Sequence, residues 1–193
     1  MNIFIVGLVL FLGIHAVSIV APRWRDGQAL KLGEGPWKGL YSGLAAVGLG
    51  LLIYGYSIAR QSPVVLYQPP NGLRHLALLL MVPVFPLLLA AYLPGRIQRA
   101  SKHPMLLATK LWATAHLLAN GTLVDVLLFG GFLVWAVADR ISIKRRPVRV
   151  RPAAAAAPYN DLIAVVGGLA LYAFFLLWAH RWTIGVSPLR SLQ

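Results

Sequence analysis

Six apolar stretches organise the chain, at about Asn2 to Val20, Leu40 to Ala59, Leu76 to Leu93, Pro104 to Ala119, Leu123 to Ala138 and Asp161 to Ala179. A bilayer core of about 30 Å takes roughly 20 residues of helix to cross, and a helix satisfies its own backbone N–H and C=O groups where water is absent. The stretches therefore predict an all-α polytopic membrane bundle of about six transmembrane helices, read as one domain over residues 1–193. A mean hydropathy of +0.71 and 12% charged residues leave too little polar surface for a soluble fold. The fourth and fifth stretches are short. Asn120-Gly121 supplies a helix stop and Thr122-Leu123-Val124-Asp125 a capping-box-like restart, so these two are expected to form a tight helical hairpin.

The net charge of +13 would suggest nucleic acid in a soluble protein. Here the basic residues fall between apolar runs, where they set orientation and meet anionic lipid, so the bilayer is the expected partner and nucleic acid is not. Loops after the first, third and fifth stretches carry Arg23, Arg25, Lys31 and Lys38, then Arg96, Arg99 and Lys102, then Arg140, Lys144, Arg145, Arg146, Arg149 and Arg151. The other side carries Arg60, Arg74, Arg181 and Arg190, a ratio of 13 to 4. The positive-inside rule then places the basic loops in the cytoplasm and both termini outside, in an inner membrane. The N-terminus lacks a basic n-region before its apolar run, so the first span is expected to be uncleaved. Residues 144–160 form a basic linker rich in proline and alanine, read as a lipid-contacting tether.

Zero cysteines exclude disulfides, thiolate nucleophiles and iron–sulfur clusters. Any metal must then be held by histidine or carboxylate, of which the chain has five each. Gly48, Gly50 and Gly55 lie in a span and lack the Gly-Lys-Ser/Thr ending of a phosphate cradle. Ser42, Ala46 and Gly50 share one face of the second span and are expected to form a packing seam. Pro83 and Pro86 should kink the third.

Ionisable side chains inside a membrane are costly and mark functional sites. His15 sits within the first span, as a metal ligand or as a hydrogen-bonded structural histidine. His116 shares a face of the fourth span with Trp112 and Asn120, at i−4 and i+4. That face could line a porphyrin or a polyene, or close the hairpin as a polar seam. Lys110 either snorkels to the headgroups or offers its charge to a carboxylate such as a haem propionate. His103, before Pro104, belongs to a helix start at the interface; His75 and His180 flank spans as solvated ends.

The run from His103-Pro104 through Trp112, Ala115-His116-Leu117-Leu118-Ala119-Asn120-Gly121 and on to Leu128-Phe129-Gly130-Gly131 resembles the bacterial NnrU family. It is more distantly similar to the plastid 15-cis-zeta-carotene isomerase, which shares that domain. Gly13-Ile14-His15 with Pro22-Arg23-Trp24-Arg25, and Arg181-Trp182-Thr183-Ile184-Gly185-Val186-Ser187-Pro188, agree with it. The resemblance implies an inner-membrane helical protein. The isomerase relatives bind haem b through two histidines and isomerise a polyene in a redox-dependent way, and the bacterial family is associated with nitrite and nitric oxide reductases. Carried over by position, the metal ligands are His15 and His116, with Trp112, Asn120 and Lys110 as further cofactor or substrate contacts; no catalytic residue is implied. Gly121-Thr122 stands where an aspartate often follows the glycine.

Two other functions fit the sequence less fully. Lys102-His103-Pro104 resembles the helix start of membrane methyltransferases of the isoprenylcysteine or phospholipid type, without their downstream acidic residues. A non-enzymatic accessory or assembly subunit of a membrane complex would account for the small-residue seam and the scarcity of acids.

Overall fold

A computed structural model describes residues 1–146 and 153–189, so Arg149, Arg151, Arg190 and the middle of the basic linker lie outside the described residues. The chain is all-α: α1 (Asn2–Val20), α2 (Pro22–Leu32), α3 (Glu34–Ala59), α4 (Asn71–Met81), α5 (Val84–Ala90), α6 (Arg96–Ser101), α7 (Pro104–Ala119), α8 (Leu123–Ile143) and α9 (Asn160–Phe174), then a π-helical turn (Phe175–Ala179) and α10 (His180–Ile184). Among the described residues five spans are long and apolar enough to cross a membrane: α1, α3, α4 with α5, α8, and the run from α9 to α10. The fourth expected span, α7, has 16 residues, about 24 Å of rise, which is short of a bilayer core. The fifth is longer than expected because α8 continues through Asp139 and Arg140 to Ile143, the Asp139 carboxylate being paired with Arg146. The loop expected after the first span is helical, and α3 begins at Glu34 rather than Leu40, held by a Glu34–Lys38 pair at i, i+4.

The chain divides into two compact units, Met1–Leu66 with Thr122–Val148, and Tyr67–Gly121 with Arg149–Gln193. Because the boundary runs through the α7–α8 connection, α7 packs in the second unit on α4 and α5, while α8 packs in the first on α1.

In the first unit α1 and α3 meet through glycine. A Cβ at Gly55 would strike the backbone of Phe4, one at Gly48 the backbone of Phe11, and one at Gly7 the backbone of Leu52. Gly48 and Gly55 are seven residues apart, as are Phe4 and Phe11, so the contact repeats every two turns. Gly48, Leu52, Gly55 and Ala59 are the buried face of α3. The seam expected at Ser42, Ala46 and Gly50 is instead exposed, and a Cβ on Gly50 meets nothing; the helical period puts those residues on a different face from Gly48. Exposed apolar side chains such as Val9 and Val134 present the hydrophobic surface a lipid solvent requires.

In the second unit the expected proline effect appears as a break at Val82-Pro83 between α4 and α5. The Val82 N–H turns to the Leu79 carbonyl at 3.2 Å, and the Leu78 carbonyl, released from its helical partner, accepts from the Tyr172 hydroxyl at 2.9 Å. Gly168 of α9 packs against Pro86, where a Cβ would strike the proline backbone. Asp161, at the start of α9, accepts from the N–H groups of Arg96 (2.8 Å) and Ile97 (3.1 Å), supplying α6 with a cap from elsewhere in the chain. The Asn160 amide donates to the carbonyls of Pro94 and Ala155.

Candidate functional site

Both singled-out histidines are built the same way. Each stands in a helix four residues after an aromatic residue, and each Nδ1–H is donated to the backbone carbonyl of that residue: His15 to Phe11 at 2.6 Å and His116 to Trp112 at 2.8 Å. A carbonyl only accepts, so the shared proton sits on Nδ1 and the lone pair is on Nε2. Ring centroids lie 4.4 Å apart for Phe11 and His15, and 5.2 Å for Trp112 and His116. A histidine whose Nδ1–H is anchored on a carbonyl, with its plane held by an aromatic neighbour, is oriented as metal-ligating histidines are.

The surroundings differ. His15, in the first unit, is half-buried and boxed by rings from three helices: Phe11 on α1, Tyr41 on α3 at 5.4 Å, and Trp135 on α8 at 5.9 Å and 89°. His116, in the second unit, lies in the last turn of α7. There the Asn120 amide donates to the His116 carbonyl at 3.0 Å, and the Tyr67 hydroxyl reaches the Leu117 and Asn120 carbonyls. That tyrosine, with its own N–H on the Gly121 carbonyl at 3.1 Å, satisfies helix-end acceptors that would otherwise be open. The structure thus brings Trp112, His116 and Asn120 together on one face. Lys110 is half-buried and, six residues before His116, stands a third of a turn off that face. His103 occupies the N-cap position of α7. His75 and His180 turn their Nδ1 to backbone carbonyls, of Asn71 at 3.2 Å and Val186 at 2.7 Å.

A second polar cluster in the first unit surrounds buried Asp125. Thr122 caps α8 and donates its hydroxyl to the carboxylate at 2.6 Å, as the restart signal predicted. Tyr56 of α3 donates at 2.6 Å to the other oxygen, a partner that no local spacing discloses. Tyr41, Trp135 and Tyr67 also escape a sequence reading, because each reaches its histidine or helix end from a distant element. Of the aromatic neighbours, Trp112, four residues before His116, was legible in the sequence.

Among the described residues no group of three or more His, Asp or Glu could hold a bare metal ion. A macrocycle that brings its own in-plane nitrogens needs less: axial imidazoles, flat apolar walls and donors for its carboxylates. Each unit by itself carries one such element, an anchored imidazole beside an aromatic ring, and in the first unit the indole Nε1 of Trp135 adds a buried donor without an acceptor among the described residues.

Fold and site together define a multi-pass, all-helical membrane protein with, in each unit, a histidine anchored on the carbonyl of an aromatic residue four positions before it. The chain belongs to the NnrU family, whose family model, described as NnrU protein, matches residues 3–188. No curated protein and no solved structure matches it.

Proposed function

We propose that this NnrU-family protein binds haem b, with His15 and His116 as iron ligands and Trp112, Asn120 and Lys110 as further contacts to the cofactor or to a lipophilic substrate. The carrying observation is the repeated device at the two histidines: an aromatic ring and a carbonyl acceptor at i−4 hold each imidazole with its lone pair on Nε2. Haem, when bound, supplies a one-electron couple and a Lewis-acidic iron. The chain orients the imidazoles, raises their basicity through the Nδ1–H bonds and keeps the surroundings apolar. Such a centre serves redox or nitric oxide-linked metabolism, or isomerisation of a polyene. The 13 to 4 bias of basic residues supports an inner membrane with the basic loops in the cytoplasm and the termini in the periplasm; that topology takes six crossings, so the 16-residue α7 crosses as well, the bilayer thinning to meet it.

The test is haem retention in detergent-purified variants. His15→Ala and His116→Ala each lose tight haem binding while inserting normally, and His180→Ala retains it. Wild-type haem occupancy in either of the first two variants removes that residue as a ligand.

A further inference from the structure

The indole of Trp135 is left unexplained by packing alone. It stands edge-to-face with His15, at 89° and 5.9 Å, and its Nε1 is covered by protein yet has no acceptor among the described residues. Asp139, one turn further along the same face of α8, has its carboxylate engaged by Arg146. Buried donors are almost always paired in folded proteins, so one without an acceptor among the described residues asks for a partner. Phenylalanine would offer a comparable flat surface to His15 with no donor to satisfy.

We infer that Trp135 is a ligand-facing donor: its indole N–H bonds a carboxylate oxygen on the group that His15 binds, while its ring holds the imidazole plane. The chemical class follows from the donor. An indole N–H only donates, so its partner brings a lone pair, and the acceptors on the rim of a haem are its carboxylates. Trp135 and Tyr41, from two other helices, fix the plane of a histidine whose Nδ1 is already anchored on α1. Trp135 is thus a positioning and cofactor-contacting residue for the His15 ligand. This inference rests on the haem reading of His15.

The experiment compares full-length wild type with Trp135→Phe in detergent. Haem content, the rate of haem transfer to an apo-myoglobin scavenger, the midpoint potential and the melting of the haem-free protein are measured. Haem-free Trp135→Phe melts no lower than wild type, because the substitution removes an unpaired donor. The haem-loaded variant loses at least about tenfold in affinity, the scale of one hydrogen bond to a charged group. Its potential falls, because a carboxylate without its donor favours ferric iron. Unchanged affinity and potential overturn the inference and leave the haem reading standing, as does a haem-free variant destabilised as much as the loaded one. A wild-type protein that takes up no haem overturns both. Should the variant fail to accumulate, benzothienylalanine placed at position 135, which keeps the bicyclic shape and lacks the N–H, gives the same decision: haem binding at least about tenfold weaker supports the bond, and unchanged binding overturns it.

Discussion

Removing Arg146 should destabilise the first unit far more than removing both members of its ion pair. The Arg146 guanidinium meets Asp139 on α8 and donates to the Ser18 carbonyl near the end of α1 at 2.7 Å, tying the two helices together. The side chains are only 12% and 9% exposed, so neither charge is well hydrated. Breaking a buried pair from one side leaves an uncompensated charge, at a cost of about 3–5 kcal/mol, whereas replacing both partners with apolar residues of similar volume is often close to neutral. Arg146→Met is therefore expected to cost about 4 kcal/mol, the lost Ser18 contact adding about 1 kcal/mol at most. Asp139→Leu with Arg146→Met should lie within about 1 kcal/mol of wild type, roughly 3 kcal/mol more stable than Arg146→Met alone. Unfolding by SDS in dodecylmaltoside micelles, followed by helical circular dichroism, measures all four proteins. A single variant costing less than about 1 kcal/mol, or a double variant as damaged as the sum of the singles, would refute the argument.

Three further outcomes follow from the packing. Gly55→Leu places a Cβ against the Phe4 backbone, which has no rotamer to yield, and should cost about 2 kcal/mol or more in the same assay, whereas Gly50→Leu opens onto free space and should change stability by about 0.5 kcal/mol or less. Tyr172→Phe leaves the Leu78 carbonyl without its donor and should cost about 1–2 kcal/mol, with faster amide exchange around the Val82-Pro83 break. Lys102 sits at φ 59° in a tight turn whose His103 N–H meets the Ser101 carbonyl at 2.6 Å, a conformation glycine adopts without strain. Strain relief of about 1–3 kcal/mol exceeds the entropic cost of glycine, about 0.5–1 kcal/mol, so Lys102→Gly raises the melting temperature and Lys102→Val lowers it.

The membrane class was legible because apolar runs of spanning length have few other solutions in water or lipid. The first span matches its expected ends, Asn2 and Val20, since charge follows it at once. Span ends blurred where a polar residue finds a partner: Asp139 reads as a terminus in sequence, but its pairing with Arg146 lets α8 run on. The seam on α3 was misread because spacing alone does not distinguish a face of Ser42, Ala46 and Gly50 from one of Gly48 and Gly55. The backbones of Phe4 and Phe11, on another helix, decide it. At the site, the histidines and the Trp112–His116–Asn120 face lie on single helices and follow from helical period. Tyr41, Trp135, Tyr56 and Tyr67 arrive through tertiary structure, which no window of residues encodes.

Haem binding is the central claim, and a reduced-minus-oxidised visible spectrum of the detergent-purified protein, with a pyridine haemochrome assay, tests it most directly. The account predicts a sharp b-type signal at about one haem per chain, the stoichiometry of one axial imidazole pair. A colourless protein after expression with ample haem would contradict it and favour an accessory subunit of a membrane complex.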